Sequence, residues 1–223
     1  MRDQSESCSR KAWLRLSAIL VTPLLLAVST SAWPQPELLD QGHMFTAKVV
    51  YGDYDGDFVT DLVVWRPSEG NWHIIDSVDQ TTRVQQWGHE GDIPVPGDYD
   101  GDSITDFAVW RPSERNWYII RSADEKIQVR QWGLVGDIPV PDDYDGDLAT
   151  DLAVWRPSEG KWYIIKSSDD TTRVQEWGVQ GDIPVPRDYD GDFATDLAVW
   201  RPSDGKWYIV NSADSTNRVQ EWG

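Results

Sequence analysis

The sequence predicts an all-β fold, a β-propeller of four blades with four short antiparallel strands in each blade. Three observations support this prediction. The string Asp-Tyr-Asp-Gly-Asp begins at Asp53, Asp98, Asp143 and Asp188, so one unit recurs every 45 residues without insertion. Short apolar runs follow each string, and Gly or Pro lies in every gap between them. No segment keeps a helical period long enough for a helical repeat.

In the first unit the predicted strands lie within 62–66, 72–75, 84–87 and 91–96. The run from Leu62 to Trp65 is continuously apolar, so both faces of its sheet need a cover, which blades stacked face to face provide. Pro94 and Pro96 lack N–H groups on the same side of their strand, which makes that strand an edge. WD40 propellers have a similar period, but their signatures are absent from these units.

The fourth unit reaches Gly223 before an Ile-Pro-Val-Pro strand, whereas Lys48–Tyr51 occupies the matching place ahead of the first acidic string. We therefore expect the N-terminal strand to complete the last blade and to close the ring. The alternatives are an array truncated from a longer one and a larger ring formed by two chains.

The acidic balance of the chain excludes one class of partner. The sequence has 20 Lys and Arg against 38 Asp and Glu, for a formal charge of −18. Such a field repels phosphate backbones, so nucleic acid is not an expected partner. With 39% apolar residues the chain has enough material for a packed core.

Residues 1–32 have the pattern of a secretory signal: a basic start, an apolar stretch over 16–28 and small residues up to Ala32. Cleavage there leaves 33–46 as an N-terminal segment and 47–223 as the propeller, with no membrane span. We expect a secreted, periplasmic or cell-surface protein; an uncleaved anchor is the alternative. The single cysteine, Cys8, lies in the leader, so packing or metal must stabilise the rest.

The acidic loop has the ligand spacing of a calcium site, with carboxylates at positions 1, 3, 5 and 9 and a backbone carbonyl at position 7. The predicted ligands are Asp53, Asp55, Asp57, Val59 and Asp61; Asp98, Asp100, Asp102, Ile104 and Asp106; Asp143, Asp145, Asp147, Ala149 and Asp151; and Asp188, Asp190, Asp192, Ala194 and Asp196. About four calcium ions are expected, one in each loop. The alternative is Asx-turn chemistry without metal. Valine at position 12, as in Val64, excludes an EF-hand.

These loops resemble the FG-GAP/VCBS propeller repeats, which are similar to those of integrin α-subunit heads and of many secreted bacterial proteins. The resemblance covers 47–223 and implies calcium binding by an Asp-x-Asp-Gly-Asp-Gly-x-x-Asp loop at the sixteen aspartates above. One departure concerns position 6, where that family often has Gly and this chain has Phe58, Ser103, Leu148 and Phe193. This departure leaves the local backbone angles open.

Tryptophans recur in register, as Trp65, Trp72 and Trp87 in the first unit, and are predicted to be core first of all. The alternative is that Trp65 and Arg66 and their equivalents form sugar-stacking platforms, whose weak sites would add by avidity. Arg66 and its equivalents could equally pair with carboxylates.

The sequence predicts a binding or adhesion module for a glycan or a protein, not an enzyme. Nearly every acidic candidate belongs to the fourfold pattern, whereas catalysis usually needs an asymmetric group of residues. His43, His73 and His89 have no counterparts in the other units. A polysaccharide-active enzyme and a scaffold without a specific ligand are the alternatives.

Overall fold

The structure is a computed structural model that describes residues 47–222, which belong to one unit, Met44–Gly223. The predicted signal peptide (1–32) and N-terminal segment (33–46) lie outside these residues. Every regular element from 47 to 222 is a β-strand, and this range contains no helix that could cross a membrane.

Sixteen strands form four antiparallel sheets of four strands each, which confirms the predicted four-bladed propeller. Blade 1 contains β1 (Lys48–Val50), β2 (Leu62–Arg66), β3 (Asn71–Ile75) and β4 (Thr82–Gln86). Blade 2 contains β5 (Ile93–Pro94), β6 (Phe107–Arg111), β7 (Asn116–Ile120) and β8 (Ile127–Gln131). Blade 3 contains β9 (Ile138–Pro139), β10 (Leu152–Arg156), β11 (Lys161–Ile165) and β12 (Thr172–Glu176). Blade 4 contains β13 (Ile183–Pro184), β14 (Leu197–Arg201), β15 (Lys206–Val210) and β16 (Asn217–Glu221).

The N-terminal strand does not complete the last blade, and the predicted closure is wrong on this point. β1 pairs with β2, with Val49 opposite Val64, and so belongs to blade 1. The reason is that the Ile-Pro strand at the end of each unit pairs with the first long strand of the next unit. Blade 4 therefore receives β13 from the third unit and needs no strand from the N-terminus. The Ile-Pro strands are edges, as their prolines predict.

Two tryptophans form the centre of each blade. In blade 1, Trp65 and Trp72 are directly opposed across β2 and β3 and are fully buried. Both indole N–H groups donate to the carbonyl oxygen of Trp87, at 3.2 and 2.9 Å. The same two bonds recur in blades 2 and 3. The predicted core role of these tryptophans is confirmed, because their bulk is buried and their polar atoms are paired.

Each blade packs against the next through two different faces. We call the side that carries the tryptophan pair the trailing face, and the opposite side the leading face. In blade 1 the leading face carries Leu62, Val64, His73 and Ile75. Three hydrophobic clusters join consecutive blades, and each combines the trailing face of one blade with the leading face of the next. Residues alternate between these faces because side chains alternate along a strand.

The blade-to-blade contact also contains two hydrogen bonds that recur at all three junctions. At the first junction the Thr105 N–H donates to the Asp53 carbonyl at 2.7 Å, and the Trp87 indole donates to the Tyr118 carbonyl at 3.0 Å. The second and third junctions repeat both bonds. Among residues 47–222, no hydrogen bond, salt bridge or hydrophobic cluster joins blade 1 to blade 4. The expectation that every blade is covered on both faces therefore holds only for blades 2 and 3.

The turn between the second and third strands needs a left-handed residue. Gly70, Gly160 and Gly205 occupy this position with φ of 65°, 62° and 67°. Blade 2 has Arg115 there, with φ of 60°. A Cβ added at Gly70 would lie 2.3 Å from the carbonyl oxygen of Gly88, so the equivalent site in blade 2 is crowded as well as strained.

We expect Arg115→Gly to raise the free energy of unfolding by about 1 kcal/mol, because relief of the left-handed strain exceeds the entropy cost of glycine. Chemical denaturation followed by tryptophan fluorescence measures this change. The reverse substitution, Gly160→Arg, is the matched control and should destabilise the protein. If Arg115→Gly leaves the denaturation midpoint unchanged or lowers it, the strain is not as described.

Candidate metal centres

The acidic loop connects the first and second strands of every blade. Glycine at position 4 of the loop has φ between 78° and 86° in the four copies. The residue at position 6 is left-handed too, although it is not glycine: φ is 65° at Phe58, 71° at Ser103 and Phe193, and 72° at Leu148. The departure at position 6 therefore does not change the sign of φ, and these side chains point to solvent, with Phe58 85% exposed.

The aspartate at position 1 fixes the shape of the loop. Asp53 accepts the backbone N–H of Gly56 at 2.7 Å and that of Phe58 at 2.8 Å. Desolvation acts to raise the pKa of Asp53, but the hydrogen bonds from these N–H groups outweigh it and lower the pKa. Asp98, Asp143 and Asp188 accept the equivalent bonds. This is the Asx-turn chemistry that the sequence left open, and it preorganises the loop.

The aspartate at position 9 is buried and ties the loop to its sheet. Asp106 accepts the N–H of Tyr99 at 2.8 Å and that of Ser122 at 2.7 Å, and the same pair of bonds recurs in the other blades. Burial raises the pKa of Asp106 and of Asp151 to about 6, although these hydrogen bonds act in the opposite direction. These carboxylates are thus both structural anchors and candidate ligands.

The fold brings together the carboxylates of positions 1, 3 and 9. In blades 2 to 4 one oxygen from each lies within 4.8 Å of the others; these triplets are Asp98, Asp100 and Asp106; Asp143, Asp145 and Asp151; and Asp188, Asp190 and Asp196. Blade 1 has two overlapping triplets, Asp53, Asp55 and Asp57, and Asp55, Asp61 and Asp76. Oxygens bound to one calcium ion at about 2.3–2.6 Å lie within about 5 Å of one another. The clusters could therefore hold metal ions.

A buried acceptor without a partner tests whether these residues fit a cation. The Asp100 side chain is only 2% exposed, and its Oδ1 has no hydrogen-bond partner among residues 47–222. Oδ1 of Asp145, the equivalent atom in blade 3, is also buried without a partner. An unpaired carboxylate oxygen in such a place is costly, and a bound cation satisfies it. The donor set, which consists of oxygens only, suits a hard divalent cation.

Position 5 has a different environment in three of the blades. Asp102, Asp147 and Asp192 lie outside the triplets and accept the hydroxyl of Ser122, Ser167 and Ser212 at 2.9–3.0 Å. The carbonyl oxygens of position 7, those of Ile104, Ala149 and Ala194, lie 3.4–3.5 Å from the same hydroxyls. The sequence reasoning missed this serine, although its spacing of 45 residues is a visible signal.

The residue just before this serine distinguishes the sites. It is Asp76 in blade 1, where its carboxylate joins a triplet, and Arg121 in blade 2. The Arg121 Nε donates to Asp100 Oδ2 at 3.3 Å, so a positive charge already lies against the second cluster. Blades 3 and 4 have Lys166 and Asn211 at this place. The four sites therefore share their carboxylates but differ in the charge around them.

In blades 2 to 4 the arginine at the end of the second strand is paired with a buried carboxylate. Arg111 contacts Asp92 at 2.7 Å, and Arg156 and Arg201 contact Asp137 and Asp182 at 2.8 Å. These hydrogen bonds raise the pKa of the arginines further. Arg66 has Ala47 where its equivalents have an aspartate, and its side chain is 44% exposed. Of the alternatives left open for Arg66 and its equivalents, blades 2 to 4 show carboxylate pairing.

A groove follows each of the first two junctions between blades. The first, of about 360 Å³, is lined by Trp87, Arg111 and Tyr118, and the second, of about 480 Å³, by Trp132, Arg156 and Tyr163. The guanidinium lies 4.5 Å from the Tyr118 ring centre and 4.1 Å from the Tyr163 ring centre, as expected of a cation–π pair. Trp65 is fully buried and cannot be a sugar platform. The accessible aromatic surface belongs instead to the third tryptophan and the tyrosine.

Fold and clusters together define a β-propeller with an acidic cluster in every blade. No family model matches the chain, and no curated protein matches it in sequence. A chain from the crystal structure of BBS1N in complex with ARL6DN, soaked with lead, superposes with a TM-score of 0.51 at 13% identity. The match covers 81% of this chain and 59% of that one, so this chain spans about three-fifths of the matched length. At that identity the likeness supports the fold alone.

The raised pKa values predict how the metal-free protein responds to pH. Asp106 and Asp151, with a pKa of about 6 when folded and an ordinary value of 3.8, bind protons more tightly in the folded state. Protonation therefore favours folding, and this contribution to stability grows as the pH falls from about 7 to about 5. We expect the melting temperature in chelator to rise over that range. Carboxylates with a lowered pKa, such as Asp76, oppose this trend only at lower pH.

Thermal unfolding followed by circular dichroism at several pH values checks this expectation. The double variant Asp106→Asn/Asp151→Asn is the control, since it removes both titrating groups and should flatten the profile. A melting temperature of the unmodified protein that falls from pH 7 to pH 5 in chelator would contradict the expectation.

Proposed function

We propose that the chain is a secreted, calcium-binding β-propeller that acts as a binding module for an extracellular glycan or protein. The observation that carries the metal part is the carboxylate triplet, which is present in every blade, together with the buried Oδ1 of Asp100 and of Asp145 that has no hydrogen-bond partner among residues 47–222. The chain has a formal charge of −18. Without bound cations, the carboxylates within each cluster repel one another, and the four clusters repel one another as well.

Calcium is the ion that these residues fit best. The triplets of residues 47–222 contain neither His nor Cys, which disfavours zinc and other borderline metals. A loop built from carboxylates and a backbone carbonyl suits the large, flexible shell of calcium better than the small octahedral shell of magnesium. Secretion would place the protein in millimolar calcium, which matches extracellular sites with dissociation constants of about 10⁻⁴–10⁻³ M. The leader pattern of 1–32 supports that location.

We propose binding and not catalysis because the described carboxylates already have repeated roles. Those at positions 1 and 9 hold the loop by backbone hydrogen bonds, and Asp92, Asp137 and Asp182 are paired with arginines. None of these pairs is specific to one blade, as a catalytic group usually is.

The ligand part of the proposal rests on the two grooves at the blade junctions. Each presents a half-buried indole beside a tyrosine ring that is stacked under a guanidinium. Aromatic faces beside fixed polar groups suit a sugar ring, and repeated weak sites gain by avidity. A protein partner is the second candidate, since the matched structure is that of a complex between two proteins.

Calcium titration by calorimetry tests the metal sites directly. We expect about four ions to bind and the melting temperature to be lower in chelator than in calcium. Asp145→Asn should remove one ion, because it takes a charge from the third triplet. Arg121→Asn should tighten the second site several-fold, because it removes the cation beside Asp100 and leaves the residue type found in blade 4.

Magnesium at the same concentration is the control cation and should restore the melting temperature poorly. The metal part of the proposal fails if the unmodified protein binds no calcium, or if its melting temperature is equal in calcium and in chelator.

A glycan array probed in calcium and in chelator tests the ligand. We expect binding in calcium, and Tyr163→Ala should weaken it by up to about tenfold, since a stacking contact on an aromatic ring is worth about 0.5–1.5 kcal/mol. Tyr51→Ala is the control, because Tyr51 is 75% exposed and lies outside both grooves. If the array shows no signal in either buffer, the proposal of a glycan ligand is contradicted, and a protein partner remains as the candidate.

A further inference from the structure

Within residues 47–222, the first and last blades each leave one face without a cover, and the two faces are different. In blade 1 the leading face is bare: Leu62 is 66% exposed, whereas Leu152 and Leu197, its equivalents in blades 3 and 4, are 7% and 1% exposed. Ile75 is 38% exposed, whereas Ile165 and Val210 are 6% and 7% exposed. An apolar groove of about 750 Å³ runs along this face.

In blade 4 the trailing face is bare. Trp200 and Trp207 are half-buried, although the corresponding tryptophans of blades 1 to 3 are at most 1% exposed. Trp222 is 77% exposed, and among residues 47–222 its indole N–H has no acceptor, whereas the same N–H of Trp87 reaches the carbonyl of the next blade. Both faces are apolar patches of the kind that marks an interaction site.

These two faces complement each other, because each of the three junctions inside the chain is built from the same pair of faces. Tryptophans of a trailing face contact the aliphatic residues of the following leading face in all three hydrophobic clusters. The ends also carry the matching polar groups. Trp222 and Thr60 can donate as Trp87 and Thr105 do, to the carbonyls of His73 and Asp188.

We propose that two copies of this chain associate head to tail, with the trailing face of blade 4 in one copy packed on the leading face of blade 1 in the other. Two such junctions close a ring of eight blades, the smallest assembly that covers all four end faces and one within the usual range of about 4–8 blades. A head-to-tail junction that does not close would produce a filament instead. The new junctions continue an interface that already exists three times in the chain.

The test measures mass by sedimentation velocity and multi-angle light scattering over a wide range of concentrations, with the full chain in calcium. We expect twice the mass of one chain. Leu62→Asp introduces a charge into the leading face only, and Trp222→Asp introduces one into the trailing face only. Each variant should therefore have the mass of one chain, half that of the dimer. Both side chains are exposed in the single chain, so circular dichroism should show an unchanged fold. Val129→Asp in blade 2 is the control, since Val129 is 52% exposed away from both faces, and it should stay dimeric.

A mixture of the two variants separates a head-to-tail junction from every other kind. The Leu62→Asp copy keeps an intact trailing face and the Trp222→Asp copy an intact leading face, so the mixture should regain dimers through one junction. Face-to-face association of identical surfaces cannot give this result, because only one of the two variants would then lose the dimer. The proposal is overturned if the unmodified chain is monomeric at all concentrations. That result is expected if residues 33–46 of the same chain, or another protein, cover the leading face of blade 1. Filaments overturn the closed ring.

Discussion

The contact between consecutive blades is the interaction on which the rest of the structure depends. A single blade is a sheet of four short strands with apolar residues on both sides, and alone in water it would expose both apolar faces. Trp65 and Trp72 are buried from solvent because Val109, Phe107 and Tyr118 of the next blade cover them. The core of this protein is therefore distributed over the junctions, each of which is a small cluster between two sheets, and no single centre exists in residues 47–222.

The acidic loops of blades 1 to 3 depend on the same junctions. The carbonyl of Asp53, the first residue of the loop, accepts the N–H of Thr105 in the following blade, so the loop is held from outside its own sheet. The aspartate at position 9 holds the loop to its own sheet, because the Asp61 carboxylate accepts hydrogen bonds from the N–H groups of Tyr54 and Ser77. Between these two supports, the carboxylates at positions 1 and 3 are brought close despite their charge. Packing of apolar residues thus opposes the repulsion that a cation would remove.

Much of this architecture could be predicted from the sequence because the period of 45 residues is strict. Strand positions followed from apolar runs and turn residues, and the edge strand followed from Pro94. The pairing of β1 was predicted wrongly, because a period fixes the length of a unit but not where a blade begins. The bare faces of blades 1 and 4 could not be predicted either, since Trp200 and Trp155 occur in the same local sequence and differ only in what covers them.

The site was predicted at the level of loops and not of atoms. The spacing of the aspartates indicated a cluster, and positions 1, 3 and 9 do converge in blades 2 to 4. Contacts from residues distant in sequence were harder to predict. Ser122 donates a hydrogen bond to Asp102, and Arg121 donates one to Asp100; both residues directly follow the third strand of blade 2. Ligand spacing within a loop does not reveal them, because only the pairing of the strands brings that end to the loop.

The offset between unit and blade has a consequence for the ancestry of the chain. Each of the first three 45-residue units contributes three strands to one sheet and the edge strand to the next, so neighbouring sheets are linked by shared sequence. Unequal crossing-over between two copies in the gene adds or removes a whole number of units wherever the exchange occurs. The product always has complete sheets, because the edge strand arrives with the preceding unit and is interchangeable among units. Such a design lets the number of sheets change by recombination without an intermediate that lacks a strand.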